Sequence, residues 1–316
     1  LVRSRGLGDV YKRQGDMLMR LNKFLCVLLF CLLSVLKLLA QDPLPACPVK
    51  GKLMQSVKPM KEMKLLYDTI QVRVDLPATF KEVGYNEIID SLGILSPVLE
   101  HLRLVKGGIL EDTVRILHIG DSHIRGHIYP QTTGQRLAET FGAVSYTDMG
   151  VNGATCLTFT HPNRIAAIAA LKPELLILSF GTNESHNKRY NSNLHYHQMD
   201  ELISLIRDSL PDVPILLTTP PGSYESFRQK RRRRTYAVNP RTVTAVNMIQ
   251  KYARDHHLVV WDMYNVVGGN RHACKNWQEA GLMRPDHVHY MPEGYILQGN
   301  LLYEALIKAY NDYVTH

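Results

Sequence analysis

From Arg115 to Tyr313, short apolar runs with strand character alternate with stretches of helical periodicity, which limits the chain to few architectures. One run, Leu175–Phe180, is apolar throughout, as is typical of a central parallel strand covered on both faces. Strands that alternate with helices predict a parallel sheet between two helical layers. We therefore expect a single α/β domain, a three-layer αβα sandwich. The predicted strands are Arg115–Ile119, Val144–Val151, Leu175–Phe180, Ile215–Thr219 and Leu258–Asp262.

The chain before the first predicted strand has a weaker pattern. Apolar residues recur at helical spacing from Asn86 to Leu102, and Pro97 is expected to kink that helix or split it. Residues 41–85 have no clear period apart from the strand-like run Ile70–Val74, so they could be a linker, an edge strand or a small cap. We therefore place the domain at residues 86–316 and treat residues 41–85 as an N-terminal extension or linker.

The first 40 residues look unlike a part of the folded domain. Residues 1–14 resemble an in-frame translation of a sequencing adapter, and we expect them to be an artefact. Residues 15–40 have the layout of a signal peptide, because two basic residues precede an apolar run of thirteen residues that is short for a membrane span. We expect cleavage after Ala40; the alternative is an uncleaved N-terminal anchor.

A signal peptide predicts a secreted or periplasmic protein with no stable membrane span after cleavage. Leu44–Cys47 faintly resembles a lipoprotein box, but Asp42 and Pro43 separate it from the apolar run, so we expect no lipid anchor. Cys47, Cys156 and Cys274 remain in the mature chain. Since no pair of them has metal-ligand spacing, neither a disulfide framework nor a metal site is indicated.

The formal charge of +8 belongs largely to the segment that is removed. Residues 1–40 hold seven of the 37 Lys and Arg and two of the 29 Asp and Glu, so the remainder carries +3. Six of its 30 basic residues lie in one segment, Arg228 and Lys230–Arg234, and are not spread over a face with aromatic residues between them, so we expect no nucleic-acid partner. This arginine run is either a solvated loop or a site that attracts an anionic polysaccharide, with Arg231 and Arg232 as candidate contacts.

Polar residues follow three of the predicted strands, and a fourth polar segment precedes the last predicted helix. The carboxyl ends of parallel strands share one edge of a sheet, so these segments should converge. Serine hydrolysis needs a histidine near the hydroxyl and an acid that orients the imidazole. Ser122 is therefore the predicted nucleophile, His289 the base and Asp286 the orienting acid. His287 and His123 compete for the role of base, and the three-residue spacing from Asp286 favours His289.

The oxyanion formed by attack on an ester needs fixed hydrogen-bond donors. The backbone N–H groups of Ser122 and Gly153 and the side-chain amide of Asn183 can supply three. Glycine at position 153 lets the backbone approach the substrate closely. His123 and Glu184, which adjoin Ser122 and Asn183, are candidates for substrate contact.

These segments resemble, in order, the four motif blocks of the SGNH (GDSL-type) hydrolases. The blocks are Gly120-Asp121-Ser122, Gly153 in Gly-Val-Asn-Gly-Ala-Thr, Asn183 in Gly-Thr-Asn-Glu, and Asp286 with His289. The resemblance covers residues 86–316 and implies a flavodoxin-like sheet, a Ser–His–Asp mechanism and esterase or acyl-transfer chemistry without a metal or cofactor. His123 replaces the leucine that gives the GDSL motif its name. Gly-Asp-Ser-His and Gly-Thr-Asn-Glu are more similar to the branch of bacterial peptidoglycan O-acetylesterases and related carbohydrate esterases.

The sequence therefore predicts an exported bacterial serine esterase that removes O-acetyl groups from a carbohydrate, either a polysaccharide or peptidoglycan. Its expected partner is an acetylated glycan. Two other functions stay open: an SGNH-type O-acyltransferase, in which a glycan hydroxyl replaces water, and a non-catalytic glycan-binding module. A lipase for long acyl chains is not expected, because no extended apolar lid is visible in the sequence.

Overall fold

The computed structural model describes residues 67–227 and 234–316. The predicted adapter segment, the predicted signal peptide and Cys47 lie outside these residues, as do Arg231 and Arg232. All described residues fall within the second of two units of the chain, which spans Pro59–His316. None of their helices combines the length and the apolar character that crossing a bilayer requires.

A six-stranded sheet forms the middle layer of the described residues. The strands, numbered along the chain, are β1 (Ile88–Ile89), β2 (Val114–Gly120), β3 (Val144–Gly150), β4 (Leu175–Ser179), β5 (Ile215–Thr218), β6 (Tyr224–Phe227), β7 (Thr235–Val238) and β8 (Val259–Trp261). Strands β3, β2, β4, β5 and β8 are parallel and adjacent in that order, which is the flavodoxin-like order. The short β1 adds an antiparallel edge beside β8, while β6 and β7 form a separate hairpin.

Helices cover both faces of the sheet. They are α1 (Ser96–Lys106), α2 (Ser122–Arg125), α3 (Ile128–Phe141), α4 (Cys156–Phe159), α5 (Pro162–Ala170), α6 (Thr182–His186), α7 (Ser192–Ser209), α8 (Arg241–Asp255), α9 (Met263–Val266), α10 (Gly269–Glu279) and α11 (Pro292–Thr315). Helices α1, α3 and α11 pack on one face, and α4, α5, α7 and α8 pack on the other. The predicted three-layer αβα fold is confirmed.

The central strands divide their side chains between two apolar cores. In β2, Val114 and Ile116 belong to the core under α1, α3 and α11, whereas Leu117 and Ile119 belong to the core on the other face. Successive side chains of a strand point to opposite faces, so a strand covered on both sides is apolar at most positions. This explains why these strands could be read from the sequence.

Strand register brings the polar turns together. Gly120, at the end of β2, pairs with Gly150 at the end of β3 and with Ser179 at the end of β4. A Cβ atom at position 150 would lie 2.0 Å from the backbone nitrogen of Arg125, so α2 can pack on β3 only because residue 150 is glycine. The three strands therefore end at one level, with α2 held directly against that edge.

The helix expected over Asn86–Leu102 is wrong in its first half. The chain forms β1 there, and α1 begins only at Ser96, with Pro97 in its first turn. Proline is tolerated at this position because the first N–H groups of a helix have no intrahelical partner. Both carboxylate oxygens of Asp90 accept backbone N–H groups of the turn that precedes α1, which fixes the chain in a non-helical path.

Residues 67–85, the described part of the expected extension or linker, pack along the domain. Ile70 is not in a strand; its N–H and C=O pair with the side-chain amide of Asn311 at 2.7 and 2.9 Å. The backbone N–H of Val74 donates to Glu304 at 3.3 Å. Side chains of this segment, among them Val72 and Phe80, pack against the core under α11.

The hairpin of β6 and β7 was not predicted, and it flanks the arginine run. Its base touches the loop that precedes α11, because the backbone N–H of Tyr224 donates to the carbonyl oxygen of His287 at 2.9 Å. Helix α10 was not predicted either. It packs through Trp277, which is fully buried and donates its indole N–H to the carbonyl oxygen of Pro221.

Candidate active site

The turn after β2 presents Ser122 at the sheet edge. Asp121 is buried, and its carboxylate accepts the backbone N–H of His123 at 2.9 Å, which caps the start of α2. Burial raises the pKa of Asp121 to about 7. The same carboxylate lies 3.4 Å from Nδ2 of Asn183. Asp121 therefore supports the turn. It does not contact His289, the hydrogen-bond partner of the Ser122 hydroxyl.

Ser122, His289 and Asp286 form a continuous hydrogen-bonded chain. Oγ of Ser122 lies 2.9 Å from Nε2 of His289, and Nδ1 of His289 lies 3.0 Å from Oδ2 of Asp286. Because an ionised carboxylate only accepts hydrogen bonds, Nδ1 carries the hydrogen in the neutral ring. Nε2 is then free to accept the serine hydroxyl hydrogen. The structure thus brings together the three residues that the sequence singled out.

Asp286 is held by the turn on which it lies. Its Oδ1 accepts the backbone N–H groups of Val288 and His289, both at 2.8 Å. Partial burial acts to raise the pKa of Asp286, but these two N–H groups and the His289 ring outweigh it and keep the pKa below its ordinary value. The turn is closed by a backbone hydrogen bond from Arg284 N to His289 O at 2.8 Å. The acid and the histidine therefore form one local unit.

His287 turns away from the serine. Its backbone has a φ of 58°, in the left-handed region, and its ring lies 4.0 Å from the ring of Tyr236 and 5.5 Å from that of Tyr224, measured between centroids. His289, in contrast, contacts Ser122. The geometry therefore separates the two histidines that competed for the role of base.

His123 does not contact substrate space, which corrects the expectation from sequence. Its side chain is buried, its Nδ1 lies 3.0 Å from the hydroxyl of Tyr295, and its ring lies 5.5 Å from the His289 ring. Burial lowers the pKa of His123 to about 3, so the ring is neutral. The His123 ring packs behind His289, because at the start of α2 the Ser122 hydroxyl points outward and the His123 side chain points inward.

Gly153 and Asn183 flank Ser122 at the same edge. Gly153 has a φ of 72° with open space around its Cα, so the left-handed backbone, more than crowding, favours glycine there. Nδ2 of Asn183 donates to the carbonyl oxygen of Ala154 at 2.8 Å, which ties Asn183 to the turn that follows β3. The amide contact with Asp121 is longer, so one of the two amide hydrogens is only weakly engaged.

Glu184 also lies away from the cavity, and the expectation that it contacts substrate is corrected. Its side chain is buried, with Oε1 accepting the backbone N–H of Cys156 at 2.8 Å and Oε2 accepting that of Gly181 at 2.9 Å. One carboxylate therefore joins the turn after β3 to the turn after β4. These are the turns that carry Gly153 and Asn183, so Glu184 positions both.

Replacing Glu184 with glutamine should lower kcat about 10- to 100-fold, because one backbone N–H would then face the amide NH2 and the two turns would separate slightly. The free energy of unfolding should fall by about 1–3 kcal/mol. We expect kcat to change more than KM when both are measured on p-nitrophenyl acetate.

Glu174→Gln is the matched control for this variant. Glu174 also accepts a backbone N–H, that of Arg115 at 2.9 Å, but it lies where β4 begins, at the opposite edge of the sheet. Its replacement should reduce stability and leave kcat unchanged. A Glu184→Gln enzyme with the unaltered kcat would show that Glu184 has no positioning role.

Cys156, Glu184 and His195 form the cluster of described side chains whose composition fits a metal site. All three are buried, and their ligand atoms lie within 4.8 Å of one another. Burial, followed by the nearby Glu184 carboxylate, raises the pKa of the Cys156 thiol, so the thiol is protonated. Both oxygens of Glu184 already accept backbone N–H groups, and the hydroxyl of Tyr190 lies 3.0 Å from Nδ1 of His195. Glu184 and His195 therefore each have a hydrogen-bond partner within the fold.

Ser122 and His289 open onto a cavity of about 650 Å³. Its other lining residues are Arg125, Gly126, Asn152, Gly153, Asn183, Arg284 and Tyr295. Sequence reasoning missed the two arginines and the tyrosine. Arg125 lies three residues after the nucleophile and Arg284 begins the loop of the histidine, so their proximity to the motifs was the available signal.

A family model described as the GDSL-like lipase/acylhydrolase family matches residues 118–297, and no curated protein matches the sequence. Among solved structures, a peptidoglycan O-acetylesterase is similar with a TM-score of 0.61 and 18% identity, over 71% of this chain and 99% of its own. A lipase/acylhydrolase from Enterococcus faecalis has a TM-score of 0.46, 20% identity and coverages of 62% and 96%. A carbohydrate acetylesterase from Sinorhizobium meliloti has a TM-score of 0.47 and 12% identity, over 61% of this chain and 98% of its own. The first of these shares the fold.

Proposed function

Because this chain belongs to the GDSL-like lipase/acylhydrolase family, we propose that it hydrolyses O-acetyl esters on a carbohydrate. The observation that carries the proposal is the hydrogen-bonded chain from Asp286 through His289 to Ser122 at the wall of an open cavity. An acylhydrolase needs this combination of nucleophile, base and orienting acid.

In the proposed reaction, Oγ of Ser122 attacks the ester carbonyl while Nε2 of His289 takes the hydroxyl proton. The C–O bond to the sugar then breaks, and His289 returns the proton to the departing sugar oxygen. Water attacks the acetyl-serine by the same route, which releases acetate and restores the serine. Asp286 keeps the imidazole in the required tautomer and stabilises its charged form.

The oxyanion would be held by three groups. These are the backbone N–H groups of Ser122 and Gly153 and the weakly engaged amide hydrogen of Asn183, all of which line the cavity. The hydrogen bond from Asn183 to Ala154 and the two hydrogen bonds that Glu184 accepts hold the Gly153 and Asn183 donors in place before substrate binds. Fixed donors of this kind lower the barrier because they need no rearrangement as charge develops.

The composition of the cavity supports a short acyl group on a polar molecule. Apart from Tyr295, its lining residues are polar, charged or glycine, and none of them is aliphatic. Sites for sugars present polar side chains that hydrogen-bond hydroxyl groups. A peptidoglycan O-acetylesterase has the same fold, which makes acetylated sugar polymers the first substrates to try. Export is part of the proposal and rests on the signal-like residues 15–40.

Turnover of p-nitrophenyl esters of increasing chain length tests the acyl preference. We expect kcat/KM to be highest for acetate and to fall about tenfold or more by octanoate, since no aliphatic side chain of the described residues lines the cavity to pack against a long acyl chain. Acetate release from acetylated xylan, pectin and peptidoglycan, measured with and without added acceptor sugar, then tests the carbohydrate and separates hydrolysis from acyl transfer. A maximum at octanoate, or no acetate from any glycan, would contradict the proposal.

A further inference from the structure

The cavity beside Ser122 has an uneven charge. Arg125 and Arg284 line it, and none of the described residues that share its lining is acidic. Apart from residues 1–40, the chain carries a net charge of only +3. A general excess of basic residues therefore does not explain why two guanidinium groups lie in one cavity. The two side chains come from different elements, α2 and the loop that bears His289, and both are exposed.

Arg125 is oriented by a chain of contacts on its side of the cavity. Its Nη1 lies 2.6 Å from Nε2 of His127, and Nδ1 of His127 lies 2.6 Å from Oδ1 of Asp148. The histidine thus accepts from the arginine and donates to the aspartate, and no carboxylate of the described residues contacts the arginine directly. Most of its five N–H donors remain available.

Arg284 has a fixed backbone, and its side chain has no ion-pair partner among the described residues. Its N–H donates to the carbonyl oxygen of His289 at 2.8 Å, and its carbonyl oxygen accepts the N–H of His287 at 2.9 Å. Within residues 67–227 and 234–316, no carboxylate lies within ion-pair distance of its guanidinium. An unpaired arginine beside a nucleophile is a ready partner for an anion, because its planar fork matches a carboxylate or phosphate.

We propose that Arg125 and Arg284 bind an anionic group, carboxylate or phosphate, on the glycan whose acetyl ester Ser122 cleaves. This inference rests on the proposed function and names its substrate class: an acetylated acidic sugar polymer. Anion binding by the arginine run at residues 228–234 is a separate prediction, most of whose residues lie outside the part of the chain that the structure describes.

One polymer offered in two charge states tests the inference. Acetylated pectin with free galacturonate carboxylates and the same acetylated pectin with methyl-esterified carboxylates differ in charge and share a backbone. We expect kcat/KM for acetate release to be about 3- to 10-fold higher on the free acid at low salt. The preference should shrink toward 1 at about 0.5 M NaCl, where screening is strong.

The variants are compared by the same ratio, kcat/KM for acetate release on the free-acid pectin divided by that on the methyl-esterified pectin. Arg284→Gln and Arg125→Gln should each bring it closer to 1, and a partly misfolded preparation cannot imitate this because it loses both activities equally. Arg254→Gln is the control. Arg254 is exposed near the end of α8, which runs back to the edge of the sheet opposite the cavity, and its replacement should leave the ratio unchanged.

Small inhibitors identify the anionic group. Galacturonate and glucose 6-phosphate should each inhibit p-nitrophenyl acetate hydrolysis at lower concentration than glucose, and the stronger of the two names the preferred anion. Equal activity on both forms of pectin, together with no advantage of either acid over glucose, would overturn the inference while leaving the esterase proposal intact. Activity on p-nitrophenyl acetate without acetate release from any glycan would remove both the inference and the carbohydrate proposal.

Discussion

Replacing Ser122 with alanine is expected to lower kcat for p-nitrophenyl acetate by about a million-fold, as removal of the nucleophile does in other serine hydrolases. The described hydrogen bond of its hydroxyl is the one to His289, so the fold should lose about 1 kcal/mol or less. Labelling by a fluorophosphonate should disappear together with activity. Hydrolysis and thermal unfolding measured on one preparation check both statements.

Ser223→Ala is the matched control for this experiment, because the chain has another serine–histidine contact. Oγ of Ser223 lies 2.8 Å from Nε2 of His186, but Ser223 is buried and does not line the cavity. Its replacement should leave labelling intact and change kcat by about tenfold at most. A Ser122→Ala enzyme that keeps more than about 1% of its activity would refute the assignment of the nucleophile.

Replacing His289 with asparagine should lower kcat by a similar factor, about a million-fold, because the serine would lose the group that takes its proton. His287→Asn provides the comparison two residues away. Asparagine tolerates the left-handed backbone that His287 adopts, so the second variant should fold normally. It should keep kcat within about tenfold, since His287 contacts Tyr224 and Tyr236 and not the nucleophile.

Both variants should be compared by kcat and by melting temperature. If His287→Asn were the inactive protein and His289→Asn the active one, the base would have been assigned to the wrong histidine. If both lost activity and melted at the temperature of the parent protein, the loop would supply two essential rings, and the mechanism would need a second proton carrier.

The central strands and the convergence of the motif segments were predictable from sequence for one physical reason. A parallel strand covered on both faces is apolar at most positions, and its carboxyl end lies at the common edge of the sheet. Ser122 and Asn183 follow the central strands β2 and β4, and Gly153 follows the neighbouring edge strand β3, so their proximity followed from the order of elements. Asp286 and His289 were recognisable because three residues of a tight turn can place an acid beside a histidine.

Other elements depend on contacts that a linear pattern does not contain. The expected helix over Asn86–Leu102 has the right apolar spacing, but the Asp90 carboxylate captures the N–H groups that would have continued it. Residues 67–85 have no periodicity because their backbone pairs with side chains of α11. The hairpin of β6 and β7 packs on a loop distant in sequence, so its short strands gave little signal.

The roles of residues beside the motifs also depended on three-dimensional contacts. Adjacency to Ser122 and Asn183 suggested that His123 and Glu184 meet substrate, yet both side chains are buried. Both pairs lie in short helices, α2 and α6, where consecutive side chains are rotated by about 100°, so the neighbour of an exposed residue can face the core. Arg125 and Arg284 reach the cavity because their long side chains extend from exposed positions, which sequence spacing alone does not determine.

The turn that joins Asp286 to His289 has a consequence for how the protein responds to heat. The distance between these two side chains is set within a few residues, whereas the distance from His289 to Ser122 depends on packing between separate elements. We expect heating to disturb the second distance before the first, so activity should be lost before the turn that orients the imidazole unfolds. A variant that stays active at higher temperature would therefore need stronger packing between α2 and β3. Gly150 cannot supply it, because a larger residue there would clash with α2.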